Sequence, residues 1–274
     1  MIENSASLPI GVFDSGVGGI SVLADLIHQL PNEQYIYFGD SGNAPYGVRS
    51  KEEVKKLSFN VVDKLLNFNI KAVVVACNTA TSIVIEELRK RLDIPVIGME
   101  PALKPAIELN NFGKIVVMAT PVTLREKKFN DLIMKLTDTD RVVKMPCPGL
   151  VEIIEQQGDH DAEIEAYIRR IYASYQLDTV GTVVLGCTHY VFIKDMIAKV
   201  VGPEATVIDG NFGTARHVKE LLKQSEALNT DGTYSQTSVR IMNSSKDASM
   251  IALSQSLLEK RLKDLNWCGT IKYI

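Results

Sequence analysis

The sequence predicts an α/β protein made of two similar halves, each built on a parallel sheet. Three observations carry that expectation. Short β-branched runs alternate with longer amphipathic stretches, the pattern of successive strand–helix units. The segments VVVACNTA (73–80) and VVLGCTHY (183–190) repeat one design: an apolar strand, a small residue, a cysteine, then polar residues that open a helix. A chain of 274 residues with 46% hydrophobic and 23% charged content is long enough for two such domains.

Strands are expected near 9–13, 35–39, 71–76, 95–98, 113–119, 141–145, 180–186 and 206–208. Each is a short run rich in valine, isoleucine or aromatic residues. Helical periodicity fills the intervals. The helix over about 50–67 has the clearest start, because Ser50 can cap it while Glu53 reaches back to complete a capping box. Beyond residue 225 no strong motif stands out, but a strand over 237–242 and a helix over 247–263 fit the pattern. The polar patch Asn229-Thr230-Asp231-Gly232 is the one stretch with linker character.

Composition excludes several functions. The 30 basic and 33 acidic residues are mixed along the chain and leave a net charge of −3, so no electrostatic footprint for nucleic acid or an anionic membrane is present. No apolar run approaches the roughly 20 residues that cross a bilayer, and the start MIENSASLPIG lacks a secretory pattern, so a cytoplasmic location is expected. The four cysteines at 77, 147, 187 and 268 form no CxxC pair and no zinc-ligand spacing, so free thiols and no metal are expected.

Ligands of open parallel sheets sit beyond the carboxyl ends of the strands. There the sequence places Asp14-Ser15-Gly16, Gly39-Asp40, Cys77-Asn78-Thr79, Thr120 and Cys187-Thr188-His189. The loop DSGVGG (14–19) can turn backbone N–H groups toward an anion. A nucleotide fingerprint would want glycine where Ser21 stands, and no P-loop lysine follows, so a carboxylate is the more natural guest. Asp14 can accept a proton or bind an ammonium group, or simply cap a glycine turn. The segment GDSGNAPYG (39–47) is too long for a plain connection and reads as a binding loop, with the Tyr46 hydroxyl as a donor and Gly47 permitting close approach.

Either Cys77 or Cys187 alone would read as inert packing. Their repeated setting, at a strand end and a helix start where the dipole favours thiolate, makes them a functional pair. Two such thiols suit a two-sided proton transfer, in which one removes a proton from one face of a carbon while the other delivers a proton to the opposite face. Asp14, Asp40, His189 and a glutamate are candidates to tune them. His28, His160 and His217 read as surface residues, and Cys147 and Cys268 as packing.

The segments GVFDSGVGG (11–19), YFGDSGNAPYG (37–47), VVACNTA (74–80), IGMEPA (97–102), CPGLVEIIE (147–155), LGCTHY (185–190) and VIDG (207–210) together resemble the glutamate racemases of the aspartate/glutamate racemase superfamily. The resemblance implies two α/β domains with pseudo-twofold symmetry and the active site between them, with the first domain discontinuous (1–99 plus 210–274) and the second spanning 100–209. It implies cofactor-free interconversion of L- and D-glutamate for peptidoglycan synthesis, in a cytoplasmic homodimer. Cys77 would deprotonate D-glutamate and Cys187 L-glutamate; Asp14 would assist the first thiol, and His189 with Glu155, rather than Glu152, the second. Asp14-Ser15, Tyr46-Gly47, Asn78-Thr79 and Thr188-His189 would hold the substrate. Val191 departs from a frequent proline and Gly210 from a frequent serine, which touches loop rigidity and substrate fit but not the proton chemistry. The alternatives are an aspartate or related racemase, a non-catalytic binder of an acidic amino acid, and a dithiol redox switch.

Overall fold

The computed structural model describes residues 5–109, 112–135, 139–156, 158–175, 179–230 and 236–274, so Asp231 and Gly232 of the linker-like patch lie outside the described residues. The first half runs β1 (Ile10–Asp14), α1 (Ile20–Gln29), β2 (Tyr35–Gly39), α2 (Lys51–Leu66), β3 (Ala72–Val75), α3 (Asn78–Arg91) and β4 (Val96–Gly98). The second runs α4 (Leu103–Leu109), β5 (Lys114–Ala119), α5 (Pro121–Arg125), α6 (Lys127–Met134), β6 (Val142–Pro146), α7 (Leu150–Glu155), α8 (Asp161–Tyr175), β7 (Val180–Leu185), α9 (Lys194–Val201) and β8 (Thr206–Asp209). The chain then returns through α10 (Asn211–Gln224), β9 (Gln236–Asn243), α11 (Ser249–Asp264) and β10 (Thr270–Tyr273).

Two fully parallel sheets result, in the orders β10-β9-β2-β1-β3-β4 and β6-β5-β7-β8. Within them β2-β1-β3-β4 and β6-β5-β7-β8 are the same arrangement, so the two halves are topological copies. Cys77 follows β3 and Cys187 follows β7, the equivalent strand of each copy. In both copies the chain leaves the first strand in one direction and returns on its other side, which creates the switch point where a parallel sheet opens a crevice.

The strands are apolar on both faces because helices cover both. Ile10, Val12, Ala72 and Val74 pack toward α1, α10 and α11, while Phe13, Val73 and Val75 pack toward α2 and α3. In the second half Val116, Met118 and Val183 face α7, α8 and α9, and Ile115, Val117 and Val184 face α4, α5 and α6. Helix α2 starts as expected, with Ser50 and Glu53 forming both bonds of the capping box. The expected strand and helix after residue 236 exist and join the first sheet, where β9 pairs with β2. Strand β10 has no counterpart among the expected strands. Its alternating TIKY, with Ile271 and Tyr273 half-buried, follows the short turn 265–269 and gains its pairing only from β9.

Candidate active site

The carboxyl ends of the two sheets meet at a narrow cleft. Its lining includes Ser15, Tyr46, Gly47, Cys77, Asn78, Thr79, Cys187, Thr188 and His189 from the residues anticipated, together with Thr120, Cys147 and Glu152. Asp14 and Glu155 stand one layer behind this wall. Asp14 is fully buried and accepts from Gly16 N at 2.9 Å and from Thr188 Oγ1 at 3.3 Å. Glu155 Oε1 accepts from Val17 N at 3.2 Å and lies 2.6 Å from His189 Nε2.

These contacts cross between the halves, and the DSGVGG loop explains how. Two of its amides are turned away from a ligand: Gly16 N and Val17 N are taken up by Asp14 and Glu155. What its glycines provide is room. A Cβ at Gly16 would lie 2.3 Å from Glu155 Oε1, and one at Gly18 would lie 2.3 Å from His189 Nδ1 and 2.4 Å from Thr188 Oγ1. The loop of the first half is thus the seat for the His189–Glu155 pair of the second. Ser21, where a nucleotide loop would have glycine, donates from Oγ to Thr188 O at 3.2 Å across the same seam.

Cys77 is the N-cap of α3, and its sulfur accepts from Ala80 N at 3.4 Å while the thiol donates to Ser15 Oγ at 3.4 Å. The helix start by itself would favour thiolate. Instead burial, reinforced by the Asp14 charge, pushes the Cys77 thiol up to about 12, outweighing the hydrogen bonds with Ala80 and Ser15. Burial likewise raises Asp14, against the lowering effects of His189 and the loop amides. Cys187 precedes a 3-10 turn, Thr188–Ile193, rather than an α-helix, and its Sγ is 3.8 Å from His189 Nδ1. Burial opposes a charged His189, yet its bonds to Cys187 and Glu155 raise it well above the usual 6.5. For Glu155 burial acts upward, but the His189 bond and charge with the Val17 amide hold the carboxyl below its ordinary value. Both shifts favour the charged forms of His189 and Glu155, and His189 Nδ1 faces the Cys187 sulfur.

Several anticipated details change. The Tyr46 hydroxyl donates to Asp40 Oδ2 at 2.6 Å, so Tyr46 offers the cleft its ring and backbone, and Asp40 serves the loop rather than a thiol. Cys147 is buried but lines the cleft, with burial pushing it up to about 12. Cys268 is exposed, not packed, since it follows α11 in the turn before the edge strand. His28 and His217 are exposed and His160 pairs with Glu163 at 3.6 Å, as surface positions allow. The sequence marks Thr120 only as a strand-end residue. It forms a ring of hydroxyls with Thr79 and Thr123 at 2.9–3.1 Å, and the repeat could have signalled it, because Thr120 follows β5 where Asp14 closes β1. Among the described residues, no three His, Cys, Asp or Glu side chains gather as a metal-binding group.

Two copied α/β halves that bring Cys77 and Cys187 from equivalent strand ends into one cleft, which Cys147 also lines, have the architecture of an α/β racemase. The chain belongs to the Asp/Glu/Hydantoin racemase family, whose profile matches residues 10–218. It is 51% identical to the glutamate racemase of Clostridium novyi (strain NT) over 253 residues, 92% of this chain and 97% of that protein. Among solved structures it is similar to glutamate racemase isoform RacE1 from Bacillus anthracis, with a TM-score of 0.82 and 30% identity over 97% of both chains. It is also similar to the glutamate racemase from Francisella tularensis in complex with D-glutamate, with a TM-score of 0.78 and 28% identity over 98% of both chains.

Proposed function

We propose that this chain interconverts L- and D-glutamate by two-base proton transfer at the α-carbon, supplying D-glutamate for peptidoglycan synthesis. The observation that carries the reading is the placement of Cys77 and Cys187 at equivalent strand ends of the two halves, both lining one cleft. In one direction the Cys77 thiolate takes the α-proton of D-glutamate and becomes a thiol, while the Cys187 thiol gives its proton to the opposite face and becomes a thiolate. The reverse direction starts from L-glutamate with the roles exchanged. The chain's own side chains supply acid and base, so the reaction calls for no cofactor.

The protonation states fit this division. A Cys77 thiol pushed up to about 12 by burial is a poor base, and a substrate ammonium beside it would favour the thiolate. Asn78 Oδ1 is buried without a hydrogen-bond partner, an acceptor left open for such a donor. Asp14 assists on the Cys77 side, and His189 backed by Glu155 on the Cys187 side. Ser15, Tyr46, Gly47, Asn78, Thr79, Thr188 and His189, with Asp14, hold the substrate. The domains are 1–99 with 210–274 and 100–209, and their two crossovers touch where a Cβ on Gly210 would meet Glu100 O at 2.5 Å. A homodimer in the cytoplasm is part of the same reading; among the described residues no helix is long and apolar enough to cross a membrane.

Incubation in D2O with each glutamate enantiomer tests the proposal. Deuterium at the α-carbon together with appearance of the opposite enantiomer is expected. Binding without exchange would leave a non-catalytic acidic amino-acid binder, and turnover of aspartate alone would overturn the glutamate assignment.

A further inference from the structure

The region after residue 225 carries no motif, yet its strand β9 ends beside the loop that forms one wall of the cleft. Asn243, the last residue of β9, is paired in register with Gly39, the last residue of β2. From there Asn243 Nδ2 donates to Ser41 Oγ at 2.9 Å, and its Oδ1 accepts from Ser245 N at 2.8 Å, so both ends of the amide are engaged. The next residue adds two bonds: Ser244 N donates to Gly39 O at 3.0 Å, and Ser244 Oγ accepts from Gly42 N at 3.0 Å. The 3-10 turn Ser41–Asn43 is thereby held from one side by β9.

That turn is coupled to the cleft wall. Asn43 Nδ2 donates to both oxygens of buried Asp40, at 3.0 and 3.2 Å, and Asp40 in turn holds the Tyr46 hydroxyl at 2.6 Å. Gly47 follows, and a Cβ there would come within 2.8 Å of Thr120 Cβ in the other half. We propose that Asn243 and Ser244 are positioning residues for substrate, fixing the Ser41–Asn43 turn and through it the Tyr46–Gly47 wall. Neither residue touches the cleft. The assignment rests on the proposed role of Tyr46 and Gly47 in holding substrate.

A loop set a few tenths of an ångström off would weaken substrate and transition state alike, which raises KM and leaves kcat nearly unchanged. For Asn243→Ala, KM for glutamate should rise about two- to tenfold, the effect of losing the one hydrogen bond that reaches the loop. Ser41→Ala removes the same bond from the loop side. The double variant should then be no worse than the more impaired single one, because Ser41→Ala removes only a bond that Asn243→Ala already removes. Hydrogen exchange, which needs no turnover, should show faster amide exchange over residues 40–48 in either variant with the β-sheet amides unchanged. Unchanged KM with unchanged loop exchange overturns the assignment, as does additivity in the double variant or a loss confined to kcat. Should the wild type not turn over glutamate, the exchange data and the KM of whichever amino acid it does turn over decide in the same way. If Asn243→Ala fails to fold, Ser41→Ala alone decides.

Discussion

Replacing Glu155 by glutamine isolates the carboxylate behind His189. The His189 side chain is 4% exposed and that of Glu155 17%, and the two lie 2.6 Å apart. Cutting one partner from a fully buried ion pair costs about 3–5 kcal/mol. Glutamine keeps the shape and one acceptor oxygen, so Val17 N retains its partner and only the charge-assisted part of the His189 bond is lost. About 2 kcal/mol is therefore expected, a fall in Tm of about 4–8 °C. The pH dependence identifies the cause. The folded His189 is raised above 6.5, so its contribution to stability is complete below that pH and fades as pH rises through the folded value. The folded Glu155 is held below 4.5, so its contribution is complete above that pH and fades as pH falls through the folded value. The stability gap between wild type and variant should be widest between pH 4.5 and 6.5 and narrow on either side. Urea denaturation from about pH 4 to about pH 9 reads it. A gap that stays constant over this range, or widens toward alkaline pH, would refute a charged His189–Glu155 pair.

Cys77→Ser should lose α-proton exchange with D-glutamate and keep it with L-glutamate, and Cys187→Ser should show the converse. Net racemisation should fall by about 10²-fold or more in each; near-full turnover in both would refute the two-base reading. Gly18→Ala pushes a methyl to 2.3 Å from His189 Nδ1, so a loss of about 1–3 kcal/mol in stability and about 10²-fold in kcat is expected. Wild-type kcat in that variant would show that the loop does not seat the pair. With iodoacetamide near neutral pH, exposed Cys268 should be alkylated first, while Cys77 and Cys147, buried and pushed up to about 12, react last. Mass mapping of the labelled thiols checks the order, and early labelling of Cys77 would contradict its burial.

Local chemistry made much of the molecule legible in advance. Alternating apolar runs placed eight strands to within a residue or two, because a strand covered by helices on both faces must be apolar throughout. Ser50 and Glu53 announced α2 through bonds between near neighbours in the chain. The repeated strand–cysteine segments disclosed the two halves and their thiols, since equivalent places in copied units carry equivalent jobs. Strand β10 stayed hidden because its TIKY is only four residues long, with two half-buried apolar positions, and depends on β9 for pairing.

Tertiary structure decided what depends on groups distant in sequence. DSGVGG has the composition of an anion-binding loop, and only the arrival of Glu155 and His189 from the other half took up the Val17 amide and the space left by the missing Cβ atoms of Gly16 and Gly18. The Cys77 thiol has a helix start in its favour, but burial by both halves reverses the balance. Asn243 lies 202 residues from Ser41, with nothing in its own neighbourhood to mark it. Residue type and local spacing therefore determined which groups can move a proton, whereas their charge state, orientation and support came from contacts that exist only once the two sheets meet.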